Sequence, residues 1–284
     1  MRINIFWKTR FNLNIVYRML VYFIILTGAI LMVIPFIWML LTSFKSFSET
    51  LTVPIKWFPS QWKLNNYNEV LQKFLFGRYY INTIIVTATI TLGQAFICSL
   101  AAYAFARLRF PLKNIFFFMV LSVLMVPPQM TLVPQFLIIS SFGFVNTLWG
   151  IIIPGLPSSF ATFLFRQAFM MLPGELEESA KIDGCSHFLI YWKIMLPLCT
   201  STIAAFSIIT VLWAWNDLLW PLIVTSTDNM RVLSVGIAAL QGQNYTEHQL
   251  LMAASVMATL PVIIVFIIGQ KYFVRGIAFT GTKA

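Results

Sequence analysis

The chain has 284 residues, of which 59% are hydrophobic, 16% aromatic and only 10% charged. A soluble domain is nearer half apolar and a quarter charged, so this composition excludes an ordinary soluble enzyme, a disordered chain and a coiled coil, and leaves an integral membrane protein. The formal charge of +10 comes from cations scattered between apolar runs, not from the clustered stripe that nucleic acid requires; they fit contact with membrane lipid on an anionic leaflet.

The first predicted element is the charge-free stretch Met19–Phe44, preceded by Arg2, Lys8 and Arg10 and containing Pro35. It is too long for the apolar region of a signal peptide and no small-x-small site follows, so it reads as an uncleaved span near 19–41. The outer segment Thr42–Tyr80 carries Pro54, Trp57, Pro59 and Trp62. Interfacial anchoring and contact with an external receptor are both open readings of these aromatics. A second span is expected near 81–106, closed by the basic turn Arg107, Arg109, Lys113. Pro127, Pro128, Pro134 and the segment Ser140–Asn146 divide the next uncharged stretch into spans near 115–133 and 148–170. Spans near 201–224 and 250–272 complete six, which at about 20 residues each leave room for one membrane domain over 1–284 and no second domain. With the N-terminus inside, thirteen of the nineteen Lys and Arg fall on the inner side, although five crowd into residues 45–78. Both termini are therefore expected in the cytoplasm of a multi-pass protein. Cys98, Cys185 and Cys199 are far apart and form no metal-ligand spacing, so neither a disulfide framework nor a metal site nor a cofactor is expected.

The most polar stretch lies between the fourth and fifth spans, at 173–197, and holds four of the nine acids: Glu175, Glu177, Glu178 and Asp183. Pro173 suits a first helical position, and three Glu in the first turn complement the positive end of a helix. Leu176 and Ala180 share a face, Gly184 is placed to close the helix in a left-handed conformation, and Ser186 can cap a second helix bearing Phe188, Tyr191 and Met195. Pro197 is expected to end it. Such an elbow could lie on the membrane, but its acidity opposes anionic lipid. It could be catalytic, but Glu177 and Glu178 are neighbours pointing different ways with no ligand set beside them. It could dock into a groove on a partner, which fits an amphipathic helix best.

Glu178-Ser179-Ala180-Lys181-Ile182-Asp183-Gly184-Cys185 followed by Ile194-Met195-Leu196-Pro197 resembles the EAA loop of bacterial ABC-importer permeases, whose pattern runs Glu-Ala-Ala, three residues, Gly, a spacer, then Ile-x-Leu-Pro. Tyr103–Phe110, Trp215–Leu222, Ala258–Pro261 and Gln270–Gly276 extend the likeness to the second permease subunit of type-I sugar importers. Ser179 and Cys185 stand where that family usually has Ala, and the tail Gly281–Ala284 is a looser version of the family ending. The resemblance implies an all-α fold of six transmembrane helices with a coupling helix between the fourth and fifth. It also implies a homologous second permease, two cytoplasmic ABC ATPase subunits, an extracytoplasmic sugar-binding protein and a sugar or oligosaccharide cargo. The residues it assigns to ATPase coupling are Glu178, Ser179, Ala180, Asp183, Gly184, Cys185, Leu196 and Pro197. The chain has no Gly-x-x-x-x-Gly-Lys-Ser/Thr loop, so ATP hydrolysis is expected of the partners and not of this subunit.

Asn216 and Asp217 are candidates for the pathway or an interface. Asp217 stands in an apolar run, where a mid-bilayer charge costs on the order of 3 kcal/mol, yet Trp213, Trp215 and Trp220 could equally place it at a hydrated boundary. Gln94, Gln129 and Gln167 could line a pathway or bond between helices. His187 and His248 read as surface and interfacial. An ion-coupled secondary transporter is the alternative and would need ionisable residues in several spans, where only Asp217 qualifies. A membrane enzyme would need a clustered nucleophile, and the sequence offers none.

Overall fold

The computed structural model describes residues 4–241 and 246–278. The tail residues 281–284, noted above for their likeness to a family ending, lie outside these. Among the described residues the chain is helical, and the contacts divide it into two units.

One unit comprises the described residues up to Val70 together with Leu240–Met257. Its first helix, α1 (Asn4–Ser43), contains the window Tyr17–Ser43, in whose most apolar part no residue is buried. A helix apolar all round and uncovered by its own chain needs lipid or another subunit as its solvent. Beyond it the chain is a built structure. Lys45 is 1% exposed, donates to the Lys56 carbonyl oxygen at 2.6 Å and lies 3.9 Å over the Trp38 ring. Asn66 donates to the carbonyls of Ser43 and Lys45 at 2.7 and 2.9 Å. The short helices α2 (Phe47–Thr50) and α3 (Asn65–Lys73) flank the aromatic segment.

The other unit holds Leu71–Ala239 and the residues from Ala258 onward. Its centre is α4 (Phe76–Arg107), which packs chiefly on α8 (Ser159–Met171) and α12 (Thr200–Asn216). The lower half of α4 joins Cys98, Ala102 and Tyr103 to Ala161, Phe165, Phe169 and Phe206 in one buried cluster. Its upper half joins Val86 and Ile90 to a second, with Ile151, Ile152, Trp220 and Val224.

Three further spans are bent pairs. α5 (Lys113–Ser122) and a 3₁₀ turn meet α6 (Pro128–Ser141) at 105°. The tandem Pro127-Pro128 supplies no N–H donors and forbids a helical residue before it, so the break falls there. Helix α6 runs through Pro134 to Ser141, past the limit expected near residue 133. α7 (Leu148–Gly155) and α8 bend by 43°. The third pair bends by 78° at Cys199 and ends in α12. With α1, α4 and the apolar part of α14 (His248–Ala278), each pair counted as one span, six spans result.

Candidate functional site: the elbow between α8 and α12

α9 (Glu175–Ile182) follows Leu172-Pro173-Gly174. Gly174 and not Pro173 is the residue before the helix, and the N–H groups of Glu177 and Glu178 both bond to the Gly174 carbonyl at 3.0 and 3.1 Å. Glu175, Glu177 and Glu178 occupy the first turn, where the unpaired N–H groups favour negative charge. The helix closes as expected on Gly184, whose φ is +77°. The Cys185 N–H bonds to Ala180 O and the Gly184 N–H to Lys181 O, each at 3.0 Å, the paired 6→1 and 5→2 bonds that a left-handed residue makes possible. Ser186 then caps α10 (His187–Ile190), accepting from the Leu189 N–H at 3.3 Å.

Past α10 the expected pattern is altered. Residues Tyr191–Met195 form a π-helical turn, followed by α11 (Leu196–Leu198). The wider turn rotates the helix face, so the buried side chains are Ile190, Tyr191 and Met195, all fully enclosed, while Phe188 is 57% exposed. Pro197 does not end the run. It sits in the first positions of α11, directly after the π turn, and the chain turns at Cys199 instead.

The elbow has two faces. Inward, Ala180, Ile190, Tyr191, Met195 and Cys199 belong to the same cluster as Tyr103, Phe165 and Phe169. The Tyr191 and Ser99 hydroxyls lie 2.8 Å apart. Ser99 also donates to the Ala95 carbonyl, so the tyrosine is the donor between them. Outward stand Glu178, Ser179, Ile182, Asp183 and Gly184, with Cys185 half-buried. Ile182 is 88% exposed. Of the sequence-predicted coupling residues, Glu178, Ser179, Asp183 and Gly184 therefore share the open face. Ala180 is buried in the chain's own core, Leu196 is half-buried, and Pro197 is exposed on the far arm. Leu176 stands one turn before Ala180, at its expected i, i+4 position, but is exposed, whereas Glu177 is buried with Ala180.

Glu177 is the residue that sequence reasoning passed over. Its side chain is 7% exposed, 2.8 Å from Lys181 Nζ and 4.0 Å from both Arg107 Nε and His187 Nδ1. Arg107, the last residue of α4, turns its other end to the end of α8. Its Nη2 donates to the carbonyls of Phe169 and Leu172 at 2.6 and 2.5 Å. A cation at a helix C-terminus meets unpaired carbonyls and the negative end of the dipole. Lys113 does the same for α4, donating to Ala106 O and Leu108 O at 3.2 and 2.9 Å. The cations read as topology signals thus also close helix ends. His187 is exposed, as expected.

Asn216 and Asp217 lie at the break between α12 and α13 (Leu219–Val224), not within a continuous helix. Asn216 is exposed. The Asp217 carboxylate accepts from the backbone N–H groups of Trp220 and Leu219, and Ser234 donates to its carbonyl at 2.5 Å. Trp215 donates to the Ala258 carbonyl at 3.1 Å, which brings two of the matched motifs together. Gln94 donates to Gly155 O at 2.6 Å and so ties two helices.

Over residues 95–279 the chain matches the family described as binding-protein-dependent transport system inner membrane component. It is 33% identical over 258 residues to the arabinooligosaccharides transport system permease protein AraQ of Halalkalibacterium halodurans, covering 90% of this chain and 92% of that one. It is 36% identical over 204 residues to the sn-glycerol-3-phosphate transport system permease protein UgpE of Yersinia pestis, covering 71% and 73%. In fold it is similar to a chain of a bacterial ABC transporter involved in the import of the acidic polysaccharide alginate, with a TM-score of 0.81, 24% identity and coverage of 91% and 96%.

Proposed function

We propose, since this chain belongs to the family of binding-protein-dependent transport system inner membrane components, that it is the subunit through which a carbohydrate importer passes ATPase motion to its translocation pathway. In this reading both termini and the elbow face the cytoplasm. A homologous permease completes the pathway, two ABC ATPases hydrolyse ATP, and an extracytoplasmic binding protein delivers the sugar or oligosaccharide. The named relatives, one for arabino-oligosaccharides and one for glycerol-3-phosphate, support a polyhydroxylated cargo. Membership in this family sets aside ion-coupled secondary transport.

The observation that carries the coupling role is the two-faced elbow. Its inner face is packed into the chain's own helices, while Glu178, Ser179, Ile182, Asp183 and Gly184 are left open. A rigid amphipathic helix with one face committed and one free is built to dock. Within this role Ala180, Leu196 and Pro197 shape and seat the elbow, and the exposed residues make the contact.

The test alters the open face. Gly184→Val forces a β-branched residue to φ +77° at a cost of about 1–2 kcal/mol, and Asp183→Ala removes an exposed carboxylate from the same face. Both chains should insert normally. Recovery of the ATPase with the tagged permease should fall at least about tenfold, the effect of a ~1.4 kcal/mol loss in docking, and uptake should fall with it. Normal uptake with normal ATPase recovery would remove the elbow from the coupling path.

A further inference from the structure

We infer that Arg107 and Glu177 are positioning residues that lock the elbow to the ends of α4 and α8, so that force reaching the elbow moves both spans. The inference rests on the coupling role proposed above and names the joint through which that role is carried.

The carbonyls that end α8, Phe169 O and Leu172 O, are held by one nitrogen of Arg107. Arg107 is itself the last residue of α4, so a single guanidinium ties two helix ends. Its Nε faces the Glu177 carboxylate at 4.0 Å, and the arginine and glutamate side chains are 14% and 7% exposed. Arg107 Nε and Glu177 Oε1 have no hydrogen-bond partner, although Lys181 Nζ stands 2.8 Å from the latter. Two buried, incompletely satisfied charges of opposite sign therefore hold each other across the joint. Removing Glu177 leaves the buried Arg107 Nε facing no charge, and removing Arg107 leaves the buried Glu177 carboxylate to the elbow's own Lys181 and His187; breaking a buried pair from one side costs more than the pair contributes.

Apart from Lys181 and His187, which meet Glu177 from the elbow's own side, the rest of the joint is apolar or neutral. Ala180, Tyr191 and Met195 pack on Tyr103 and Phe169, and the Tyr191 hydroxyl meets Ser99. Those contacts keep the elbow attached when the ion pair is lost but do not fix its angle to α8, because no other polar bond described between α9 and the α8 end does so. Glu177 points inward from a helix whose neighbour Glu178 points outward. The docking face and the lock are thus separate faces of one helix, and they can be damaged separately.

The experiment uses the whole transporter, with the companion permease, ATPases and binding protein. Arg107→Gln and Glu177→Gln should each leave ATPase recovery at the unmutated level. ATP hydrolysis should no longer rise when the loaded binding protein is added, and uptake should fall by about tenfold or more, the consequence of a buried charge that has lost its partner across the joint. The double variant, in which no charge is left alone, should be no worse than the worse single variant. Arg107→Lys keeps a cation and should restore part of the coupling. Glu177→Gln preserves shape and carries the test by itself if Arg107→Gln inserts poorly. Stimulated hydrolysis unchanged in Glu177→Gln, loss of ATPase recovery in it, or multiplying effects in the double variant would each overturn the lock. A Gly184→Val chain that transports normally would instead overturn the docking role, leaving the two failures distinct.

Discussion

Glu49 shows how a single carboxylate organises the segment after α1. Its Oε2 accepts from the Ser46 N–H at 2.9 Å and the Ser46 hydroxyl at 3.0 Å, and its Oε1 accepts from the Ser60 N–H at 2.8 Å. Those bonds are stronger to the ionised form, led by the Ser46 N–H, and they hold the pKa at about 2 against an ordinary 4.5. A group whose folded pKa is lowered contributes above its unfolded pKa and loses that contribution as pH falls toward the folded one. The turn joining Ser46 to Ser60 should therefore loosen progressively between about pH 4.5 and 2. Amide exchange at Ser60, corrected for the intrinsic pH dependence of exchange, should show protection falling through that window. In Glu49→Gln the protection should be lower and flat with pH. Protection that stays constant to pH 2 in the native chain would mean the carboxylate does not hold the turn.

At the scale of elements, close approach between helices is set by small residues, as expected where lipid removes the hydrophobic driving force for association. A small residue likewise seats α7 on the turn that leads into it: a Cβ at Gly150 would lie 2.3 Å from the Phe144 carbonyl oxygen. That oxygen is backbone and also accepts from the Thr147 hydroxyl at 2.8 Å, so it cannot give way. The Gly150 carbonyl in turn accepts from Trp220 Nε1 at 3.0 Å. Gly150→Ala should cost about 1–3 kcal/mol through overpacking, read as a lowered thermal midpoint of the purified chain. Gly77, with nothing within 4 Å of its Cβ position, provides the control, and Gly77→Ala should leave the midpoint unchanged or slightly raised. Equal effects at the two positions would deny that α7 is seated by this contact. What was legible in the sequence follows the same division. The caps Gly184 and Ser186 obey local rules and stand where local rules put them. The π turn at Tyr191–Met195 and the Arg107–Glu177 pairing depend on which helices meet. No periodicity within a segment can join residues that far apart in the chain. Arg107 was visible as a basic-turn residue and Glu177 as one of four clustered acids, but only packing turns the second inward.

The whole molecule exposes apolar surface on a scale that water would not tolerate, from Phe23 and Met32 on α1 to Ile268 on α14. Such surface belongs to lipid and to other subunits. The composition announced that fact, whereas the sidedness rests on the unequal placement of cations and is open to direct test with the native cysteines. Cys98 is 2% exposed and Cys199 4%, both inside the cluster that holds the elbow, while Cys185 is half-buried at the elbow's outer turn. A membrane-impermeant maleimide should therefore label the unmodified chain at one position, and only from the side on which the elbow lies. Inside-out vesicles should be labelled, right-side-out cells should not, and Cys185→Ser should abolish the signal. Bound ATPase should slow the labelling in inside-out vesicles, because Cys185 adjoins the open face of Asp183 and Gly184. Labelling from outside the intact cell would invert the topology, and an elbow outside the cell could not meet an ATPase that draws on cytoplasmic ATP.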